Sequence, residues 1–341
     1  MAESPGDKAD STERRAKKHM GNASQEAAMA AAFGGEGWSP RTQTLRQELG
    51  TLWGDWGVGL EWAPLQAVLL HRPGPEIEGL TDPDAAQMLS PVDAELIRQQ
   101  HDALAAAYRE AGVEVYYLDP DGPVPPNNLF CADLLFMTPE GAILARPAST
   151  VRAGEERHVA RRLAALDVPI LLSVHGDGVF EGADAVWIDE GTALVATGLR
   201  TNEAGADQVT WVLRDIGAEV VRVDLPYGSM HLMGTLRLAG PGTAVGYPGR
   251  TPHRAVRALR ERGYRLLWAT DVGEIQRMAL NFVPLGPQKI LVAANCPHTQ
   301  AMYEAEGIEC VTVEIDELAK AAGGMGCLTG ILEREKGGTL K

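Results

Sequence analysis

Hydrophobic and polar positions recur in a fixed order along this chain. The segment LLFMTPEGAILAR, which begins at residue 134, contains two apolar runs separated by Thr-Pro-Glu-Gly, a pattern that predicts a β-hairpin. An amphipathic stretch, GEERHVARRLAAL, and a short apolar run, PILLSV, follow it. The same hairpin–helix–strand order returns three more times, with a period of about fifty residues.

The later copies preserve this order. They read DAVWIDEGTALVATG, NEAGADQVTWVLRDIG and EVVRVDL; then GTLRLAGPGTAVGY, PHRAVRALRERG and YRLLWAT; then NFVPLGPQKILVAA, CPHTQAMYEAEG and IECVTVEI. A fifth, less regular unit comes first: strand QAVLLHRP, a long insertion, helix SPVDAELIRQQHDALAAAYREAG and strand VEVYYLD. No single unit can bury its own faces, so we predict five pseudo-fivefold ββαβ repeats in a ring, a five-bladed α/β propeller. The alternative is a doubly wound α/β sheet, but the hairpin before each helix disfavours it.

The repeats define the predicted domain organisation. Residues 60–335 are expected to form a single catalytic domain, and residues 1–45 a flexible leader. The leader opens MAESPGDKADSTERRAKKHMGNAS, in which no apolar segment follows the charges, so it does not resemble a signal peptide.

Charge and cysteine content narrow the functional classes. The net charge of −15 argues against nucleic acid or an anionic membrane surface as partner, but it is compatible with a small cationic substrate. No apolar run is long enough to span a bilayer. The four cysteines include no Cys-x-x-Cys pair, which argues against a zinc ribbon or a thioredoxin-like site. A large chain with few cysteines fits a reducing, cytoplasmic location better than secretion. We predict no metal and no cofactor.

Chemistry-bearing residues are concentrated where one predicted unit joins the next. In a ring, these junctions point toward the central axis; they are PPNNLFCAD, HGDGVFEGAD, PYGSMHLMG and GGMGCLTG. They would bring together Asp133, Glu181, Asp184, His231 and Cys327 from distant parts of the chain.

Each of these residues also has a purely structural interpretation. Cys327 could be a buried free thiol, but its glycine-rich junction and the matching His231 favour a nucleophile. His231 could cap a strand, Glu181 and Asp184 could form a solvated acidic turn, and Asp133 could cap a turn. Together, a thiol, an imidazole and several carboxylates suit attack on the carbon of a guanidinium, with the carboxylates holding the planar cation.

The junction motifs resemble those of the guanidino-group modifying superfamily, which includes arginine deiminases, dimethylarginine dimethylaminohydrolases and amidinotransferases. The resemblance covers roughly residues 60–335 and rests on PNNLFCAD, FEGADAVW, GLRTNEAGADQV, MHLMGTLRL and GGMGCLTG. It implies the five-bladed pentein fold. It also implies catalytic roles for Cys327 as nucleophile, His231 as general acid/base and Glu181 as the acid beside the histidine. The substrate-binding candidates are Asp133, Asp184, Arg200 and Arg152, of which Asp133 would grip the guanidinium and the arginines would bind a substrate carboxylate.

The chain departs from the family pattern at three places. Deiminases usually carry Arg-Asp where this chain has Ala132-Asp133, and the usual Glu-Gly-Gly-Asp reads Glu-Gly-Ala-Asp. Many members have His-x-Asp where His231 is followed by Leu232 and Met233, so a second guanidinium-binding acid is missing. We therefore expect a substituted guanidine, or one with fewer hydrogen-bond donors, to be preferred over free arginine.

These observations predict a hydrolase that acts on a guanidino compound through a covalent cysteine intermediate. An amidinotransferase is the alternative, since it differs only in using an amine instead of water to attack the covalent intermediate. A non-catalytic ring protein is a third hypothesis. The predicted partner is a small cationic guanidino substrate, with neither nucleic acid nor membrane involved, and a homodimeric assembly is left open.

Overall fold

The computed structural model describes residues 29–336, and strands and helices alternate along them in the predicted order. The strands of this part of the chain are β1 (Leu65–Leu70), β2 (Glu114–Tyr117), β3 (Leu135–Thr138), β4 (Gly141–Leu144), β5 (Ile170–Ser173), β6 (Ala185–Asp189), β7 (Thr192–Thr197), β8 (Glu219–Asp224), β9 (Leu236–Gly240), β10 (Thr243–Gly246), β11 (Arg265–Trp268), β12 (Val283–Gly286), β13 (Lys289–Ala293), β14 (Glu309–Val313) and β15 (Gly330–Arg334). The α-helices are α1 (Leu45–Glu48), α2 (Ala94–Glu110), α3 (Glu156–Ala165), α4 (Glu203–Asp215), α5 (His253–Glu261), α6 (Val272–Gln276), α7 (Pro297–Glu304), α8 (Asp316–Ala319) and α9 (Met325–Leu328).

The strands form small sheets of three strands each. In four of these sheets a hairpin pairs antiparallel, and a third strand, reached through a helix, lies parallel to the second hairpin strand. The sheets β3–β4–β5, β6–β7–β8, β9–β10–β11 and β12–β13–β14 share this plan. The hairpin–helix–strand order predicted from the sequence is thus found at all four positions.

The first sheet is completed by the two ends of the folded region. Strand β1 lies between β2, to which it is parallel, and β15, to which it is antiparallel, with Val68 opposite Ile331. Sequence analysis found β1 and β2 but did not recognise the segment ILERE as their missing partner. The last strand therefore joins the first sheet, and Cys327 lies just before that strand.

In the four hairpin sheets the two hairpin strands are almost completely buried, whereas the third strand is the most exposed. Every residue of β7 is buried, and so is every residue of β4, whereas the outer strand β5 is partly exposed. Since sheets packed on both faces need continuous apolar runs, this explains sequences such as TALVAT and GAIL.

The chain divides into two compact units at Thr44 and Leu45. The first contains a short 3₁₀ helix, Ala31–Phe33, and the second contains all the sheets. Most of the predicted flexible leader, residues 1–28, lies outside the described residues. Within residues 29–336, no helix combines the length and apolar character needed to cross a membrane.

One end of the hairpin strands carries all the junctions singled out above. Short 3₁₀ helices, Cys131–Asp133, Gly182–Asp184 and Leu232–Gly234, immediately precede the first hairpin strands of three sheets. The four-residue helix α9 occupies the corresponding place before β15. Because hairpins of the same plan begin at equivalent places, these turns bring their side chains together.

Candidate active site

A small pocket unites most of the predicted site residues. Its wall includes Asp133, Arg152, Arg200, His231 and Cys327, together with Gln87, Asn127, Phe130, Met230, Ala321 and Ala322. The free space among them is about 20 Å³, which is enough for a single water molecule. A guanidino substrate would therefore require side chains of this wall to move.

His231 is held at this pocket by Glu181. Its Nε2 lies 2.6 Å from Glu181 Oε2, and its Nδ1 lies 3.8 Å from Asp133 Oδ1. Burial disfavours the imidazolium, but Asp133, the hydrogen bond with Glu181 and Asp184 outweigh burial and raise the pKa of His231 to about 9. Burial acts against the Glu181 carboxylate as well, yet His231, Arg152 and Arg200 lower its pKa to about 2. At neutral pH the pair is an imidazolium and a carboxylate, so His231 can donate a proton.

The motif Arg200-Thr201-Asn202 positions the loop that carries Glu181. Asn202 Oδ1 accepts from the Val179 backbone N–H at 3.0 Å, and Thr201 Oγ1 accepts from the Glu181 backbone N–H at 3.3 Å. Asn202 also begins helix α4 by accepting from the Gly205 N–H, so one residue fixes both helix and loop. The segment GLRTNEAGADQ thus holds the neighbouring segment EGAD.

Gly182 follows Glu181 because no larger residue fits there. A Cβ atom at this position would lie 2.1 Å from the carbonyl oxygen of Leu135 and 2.5 Å from that of Ala132. These carbonyls flank Asp133, so the absence of a side chain at Gly182 lets the Glu181 and Asp133 turns pack directly against each other.

Asp184 does not take the substrate-binding place predicted for it. Its carboxylate is fully buried, accepts from Thr201 Oγ1 at 2.6 Å and from the Leu232 backbone N–H at 3.0 Å, and does not line the pocket. Burial raises the pKa of Asp184 to about 6, against the opposing effects of His231 and these two hydrogen bonds. We therefore reinterpret Asp184 as the residue that fixes the turn bearing His231.

The Arg152 guanidinium is hydrogen-bonded to three carboxylates and is not free to bind a ligand in the pocket. Its Nη1 donates to Asp133 Oδ2 at 2.6 Å and lies 3.4 Å from Glu181 Oε2, while Nε and Nη2 donate to Glu155 Oε2 at 2.9 and 2.8 Å. Burial opposes the charge, but Asp133, Glu155 and Glu181 raise the pKa of Arg152 above its usual value. The predicted role, binding a substrate carboxylate, would require these bonds to be exchanged.

The hydrogen bonds of Arg152 leave one oxygen of Asp133 available to a ligand. Asp133 is 3% exposed, and its Oδ1 has no hydrogen-bond partner within residues 29–336. Glu155, which sequence analysis did not single out, is fully buried beside Arg152. Burial raises the pKa of Glu155 to about 7, against the stabilising effect of Arg152. Nothing in GEERHVARR distinguished Glu155 from an exposed helical acid.

Arg200 remains the better placed arginine for a substrate carboxylate. Its Nη1 makes one contact of 3.3 Å with Glu181 Oε1, and the side chain forms part of the pocket wall. The predicted assignment of Arg200 is compatible with this placement.

Cys327 lies in the pocket beside an asparagine that sequence analysis overlooked. Asn281 Nδ2 donates to Cys327 Sγ at 3.2 Å, and Asn281 Oδ1 accepts from the Cys327 backbone N–H at 3.2 Å. A Cβ atom at Gly326 would lie 2.8 Å from Asn281 Oδ1, so glycine is needed for this approach. Burial and Asp133 raise the pKa of the Cys327 thiol to about 11, although Asn281 opposes the shift. The signal that could have revealed Asn281 is its position in the repeat: it lies just before β12, as Asp133 lies just before β3.

The other cysteines have different surroundings. Cys131 is fully buried, and burial raises the pKa of its thiol well above the usual value. Cys296 is buried and Cys310 is partly buried, and burial also raises the pKa of each thiol. Cys327 is the cysteine that lines the pocket with His231.

Asp133, Glu181 and His231 could also be considered as metal ligands, since one donor atom of each lies within 4.8 Å of the others. Arg152 already bonds to both carboxylates, however, and His231 Nε2 bonds to Glu181. Cationic side chains therefore already neutralise the negative charge of this cluster, so it is a poor fit for a metal ion.

A thiol, an imidazolium–carboxylate pair and a buried aspartate around one cavity define a class of protein: enzymes that modify guanidino groups. A family model described as "N,N dimethylarginine dimethylhydrolase, eukaryotic" matches residues 88–332. The chain belongs to this family and, with it, to the guanidino-group modifying superfamily of pentein fold. The predicted resemblance and the prediction of a guanidine-modifying enzyme are confirmed.

Similar proteins agree with this placement. An N(G),N(G)-dimethylarginine dimethylaminohydrolase of Streptomyces coelicolor is 28% identical over 267 residues, covering 78% of this chain and 96% of that protein. The structure of a dimethylarginine dimethylaminohydrolase from Pseudomonas aeruginosa, complexed with citrulline, has a TM-score of 0.65 at 20% identity and covers 78% of this chain and 98% of that one. An amidinotransferase from Microseira wollei has a TM-score of 0.67 at 16% identity, covering 84% and 99%. These two structures share the fold with this chain.

Proposed function

We propose that this protein is a hydrolase that releases an amine from an N-substituted guanidino compound related to arginine. The observation that carries the proposal is the meeting of Cys327, His231 and Asp133 in one pocket of a chain that belongs to the dimethylarginine hydrolase family. The family name supplies the substrate class, and the free Oδ1 of Asp133 supplies an acceptor for one guanidinium N–H.

In the first half-reaction, binding of the cationic substrate promotes ionisation of the Cys327 thiol. Asp133 contributes to the raised pKa of Cys327, so a guanidinium bound at Asp133 offsets that charge and favours loss of the thiol proton to solvent. The thiolate then attacks the guanidinium carbon and forms a C–S bond. The C–N bond to the substituted nitrogen breaks as the His231 imidazolium protonates the departing amine.

In the second half-reaction, the neutral His231 takes a proton from water. The resulting hydroxide attacks the carbon of the thiouronium intermediate. The C–S bond then breaks while the hydroxyl proton of the adduct passes to the departing sulfur, which releases a neutral ureido product and restores the Cys327 thiol. His231 is left as the imidazolium, stabilised by Glu181 at 2.6 Å, which is the state in which the cycle began.

The proposal includes an arrangement and boundaries for the whole fold. We place the three-stranded sheets as five blades around a pseudo-fivefold axis, with the junction turns at one end and the catalytic domain spanning residues 60–335. The closing of the first sheet by β15 and the shared plan of the other four support this arrangement. The free cysteines support a cytoplasmic location, and a homodimer stays a prediction.

An amidinotransferase shares the first half-reaction and is the alternative, because a chain of the same fold carries that activity in Microseira wollei. The two functions separate in one assay. Purified protein is incubated with N(G),N(G)-dimethylarginine, monomethylarginine, arginine or agmatine, with and without glycine as acceptor, and the ureido, amine and amidino-transfer products are measured.

We expect dimethylamine and citrulline from dimethylarginine, independent of glycine. Cys327→Ser should abolish release while dimethylarginine still raises its melting temperature, which separates chemistry from folding. Turnover by Cys327→Ser would refute the cysteine mechanism, and products that appear only with an acceptor amine would establish the alternative. No turnover of any guanidine by the folded wild type would contradict the proposal.

A further inference from the structure

Glu155 is a fully buried acid that takes no part in the two half-reactions. It lies immediately before helix α3, three residues after Arg152, and its backbone N–H donates to the Arg152 carbonyl oxygen at 3.2 Å. Between them, Gly154 has a φ of +91°, a backbone conformation that favours glycine. This tight turn of the chain brings the carboxylate of Glu155 to the guanidinium of Arg152.

Arg152 makes five hydrogen bonds, as many as its guanidinium has N–H groups. Nε and Nη2 donate to Glu155 Oε2 at 2.9 and 2.8 Å, and Nη2 also donates to the Asn127 carbonyl oxygen at 3.4 Å. Nη1 donates to Asp133 Oδ2 at 2.6 Å and to Glu181 Oε2 at 3.4 Å. Glu155 therefore holds the Nε–Nη2 edge of the guanidinium, and only Nη1 contacts Asp133.

An arginine whose Nε–Nη2 edge is free commonly bonds to both oxygens of a carboxylate. Arg72 does so in this protein, with Nε 2.7 Å from one oxygen of Asp102 and Nη2 2.8 Å from the other. Without Glu155, the same edge of Arg152 would be buried without its main acceptor, which is costly. Asp133 Oδ1, on the carboxylate that Arg152 already contacts, has no hydrogen-bond partner in the described part of the chain and could accept from it.

Asp133 Oδ1 is also the oxygen that faces the catalytic side of the pocket. It lies 3.8 Å from His231 Nδ1, and Asp133 lines the same pocket as Cys327. A guanidinium bound at this oxygen lies beside both the proton donor and the thiol. If Arg152 bonded to both oxygens, the substrate would first have to displace a buried ion pair, so the loss would fall on substrate binding.

We propose that Glu155 is a positioning residue for the guanidine reaction. By holding Nε and Nη2 of Arg152, it confines Arg152 to Oδ2 of Asp133 and keeps Oδ1 free for an N–H group of the substrate. Glu155 acts through Arg152 and is not part of the pocket wall. The inference rests on the proposed function, because it takes Asp133 as the residue that binds the guanidinium.

The first test compares two replacements of Glu155 in the dimethylarginine assay. Glu155→Met keeps a side chain of similar length but removes the carboxylate, so KM should rise by about tenfold or more while kcat stays within about threefold. Glu155→Gln keeps an oxygen for Nε and Nη2, so its KM should stay within about threefold of the wild-type value. A crystal structure of Glu155→Met should show Arg152 bonded to both oxygens of Asp133.

These readouts separate positioning from a purely structural role, which would lower the melting temperature of Glu155→Met without changing its KM. A wild-type KM in Glu155→Met, or an equal rise of KM in both variants, would overturn the proposal. If the wild type turns over dimethylarginine and Glu155→Met binds it equally well, only the positioning role is wrong. If the wild type turns over no guanidine, the proposed function is wrong and this inference falls with it.

The second test is a comparison that remains informative even if Glu155→Met alone does not fold. Arg152→Met and the double variant Arg152→Met/Glu155→Met both lack the arginine through which Glu155 is proposed to act. Their KM values should therefore agree within about twofold. A clearly higher KM in the double variant would show that Glu155 acts on the substrate by another route, and would overturn the proposal.

Discussion

Asn281 holds Cys327 at two points. Its Nδ2 donates to Sγ at 3.2 Å, while its Oδ1 accepts from the cysteine's own backbone N–H at 3.2 Å. The first bond favours the thiolate over the thiol, and the second fixes the turn of α9. Asn281 is therefore a positioning residue that also tunes the acidity of the proposed nucleophile.

Separating these two effects gives the first prediction. Asn281→Asp keeps the acceptor for the backbone N–H but loses the donor to Sγ and adds a negative charge. A hydrogen bond to a charged group contributes about 1.5–3 kcal/mol, so kcat/KM should fall by roughly 10- to 150-fold. The pH at which Cys327 becomes half-alkylatable by iodoacetamide should rise, since the thiol pKa rises.

Asn281→Leu is the companion variant, because it removes both bonds. It should lose activity and melting temperature together, whereas Asn281→Asp should lose mainly activity. An unchanged alkylation profile in Asn281→Asp would show that Asn281 does not act on the thiol.

The second prediction concerns the stability that Arg152 provides. Arg152→Met leaves Asp133, Glu155 and Glu181 facing one another without their shared cation. Breaking a buried ion pair from one side costs about 3–5 kcal/mol, so the free energy of unfolding in urea should fall by that amount. Arg262→Met is the control: Arg262 also pairs with two acids, Asp189 and Glu219, but at the partly exposed surface. It should cost no more than about 1 kcal/mol for each pair.

Adding Glu155→Gln to Arg152→Met should recover part of the loss, because it removes one of the unpaired buried charges. Equal costs for Arg152→Met and Arg262→Met would contradict the view that Arg152 neutralises a buried carboxylate cluster.

The sequence predicted the repeating elements well because each unit carries its own local signals. A turn sequence such as TPEG and a periodic run such as GEERHVARRLAAL specify a hairpin and a helix without reference to the rest of the chain. The pairing of β1 with β15 has no such signal, since the partners lie more than two hundred residues apart. A prediction based on local pattern therefore left the first unit incomplete.

At the site, residue positions were easier to predict than partners. The expectation that junctions between units converge placed Asp133, His231 and Cys327 around one pocket. This was possible because the boundaries of the units could be recognised in the sequence. It did not reveal that Asp184 bonds inward to Thr201 and Leu232, or that Arg152 bonds to Asp133. Which way a side chain points depends on contacts between turns of different sheets. Those contacts leave no local pattern that can be recognised in a single sequence.

The third prediction concerns Met233, which stands where a second acid is common in the superfamily. Its Sδ would lie 3.4 Å from a Cβ placed on Gly326, so its side chain reaches the turn that carries Cys327. Met233→Asp adds a charged acceptor there, worth about 1.5–3 kcal/mol to a substrate with an additional N–H. The ratio of kcat/KM for arginine to that for dimethylarginine should rise by roughly tenfold or more. Met233→Leu, which keeps the apolar volume, should leave the ratio unchanged; a similar change in both variants would exclude the charge as the cause.

The fourth prediction concerns the dependence of stability on pH. The His231 pKa is raised from 6.5 in the unfolded chain to about 9 in the folded protein, so its contribution is fully present below pH 6.5 and is lost as pH rises through 9. The Glu181 pKa is lowered from 4.5 to about 2, so its contribution is present above pH 4.5 and is lost as pH falls through 2. Between pH 4.5 and 6.5 both contributions are complete.

Urea unfolding of wild type and His231→Gln at pH 6, 7, 8 and 9 tests the alkaline limb. Midway between pH 6.5 and 9 the folded wild type binds about one more proton than the unfolded chain, so its free energy of unfolding should fall by about 1.4 kcal/mol per pH unit relative to the variant. The comparison uses slopes, so the variant's lower overall stability, which follows from leaving Glu181 without its partner, does not affect it. His101, whose pKa burial lowers to about 3, is present in both proteins, so its change of protonation on folding cancels in the comparison. Parallel pH profiles for the two proteins would mean that the pKa of His231 is not raised by its buried carboxylates, and the proton it is proposed to donate to the leaving amine would be absent at neutral pH.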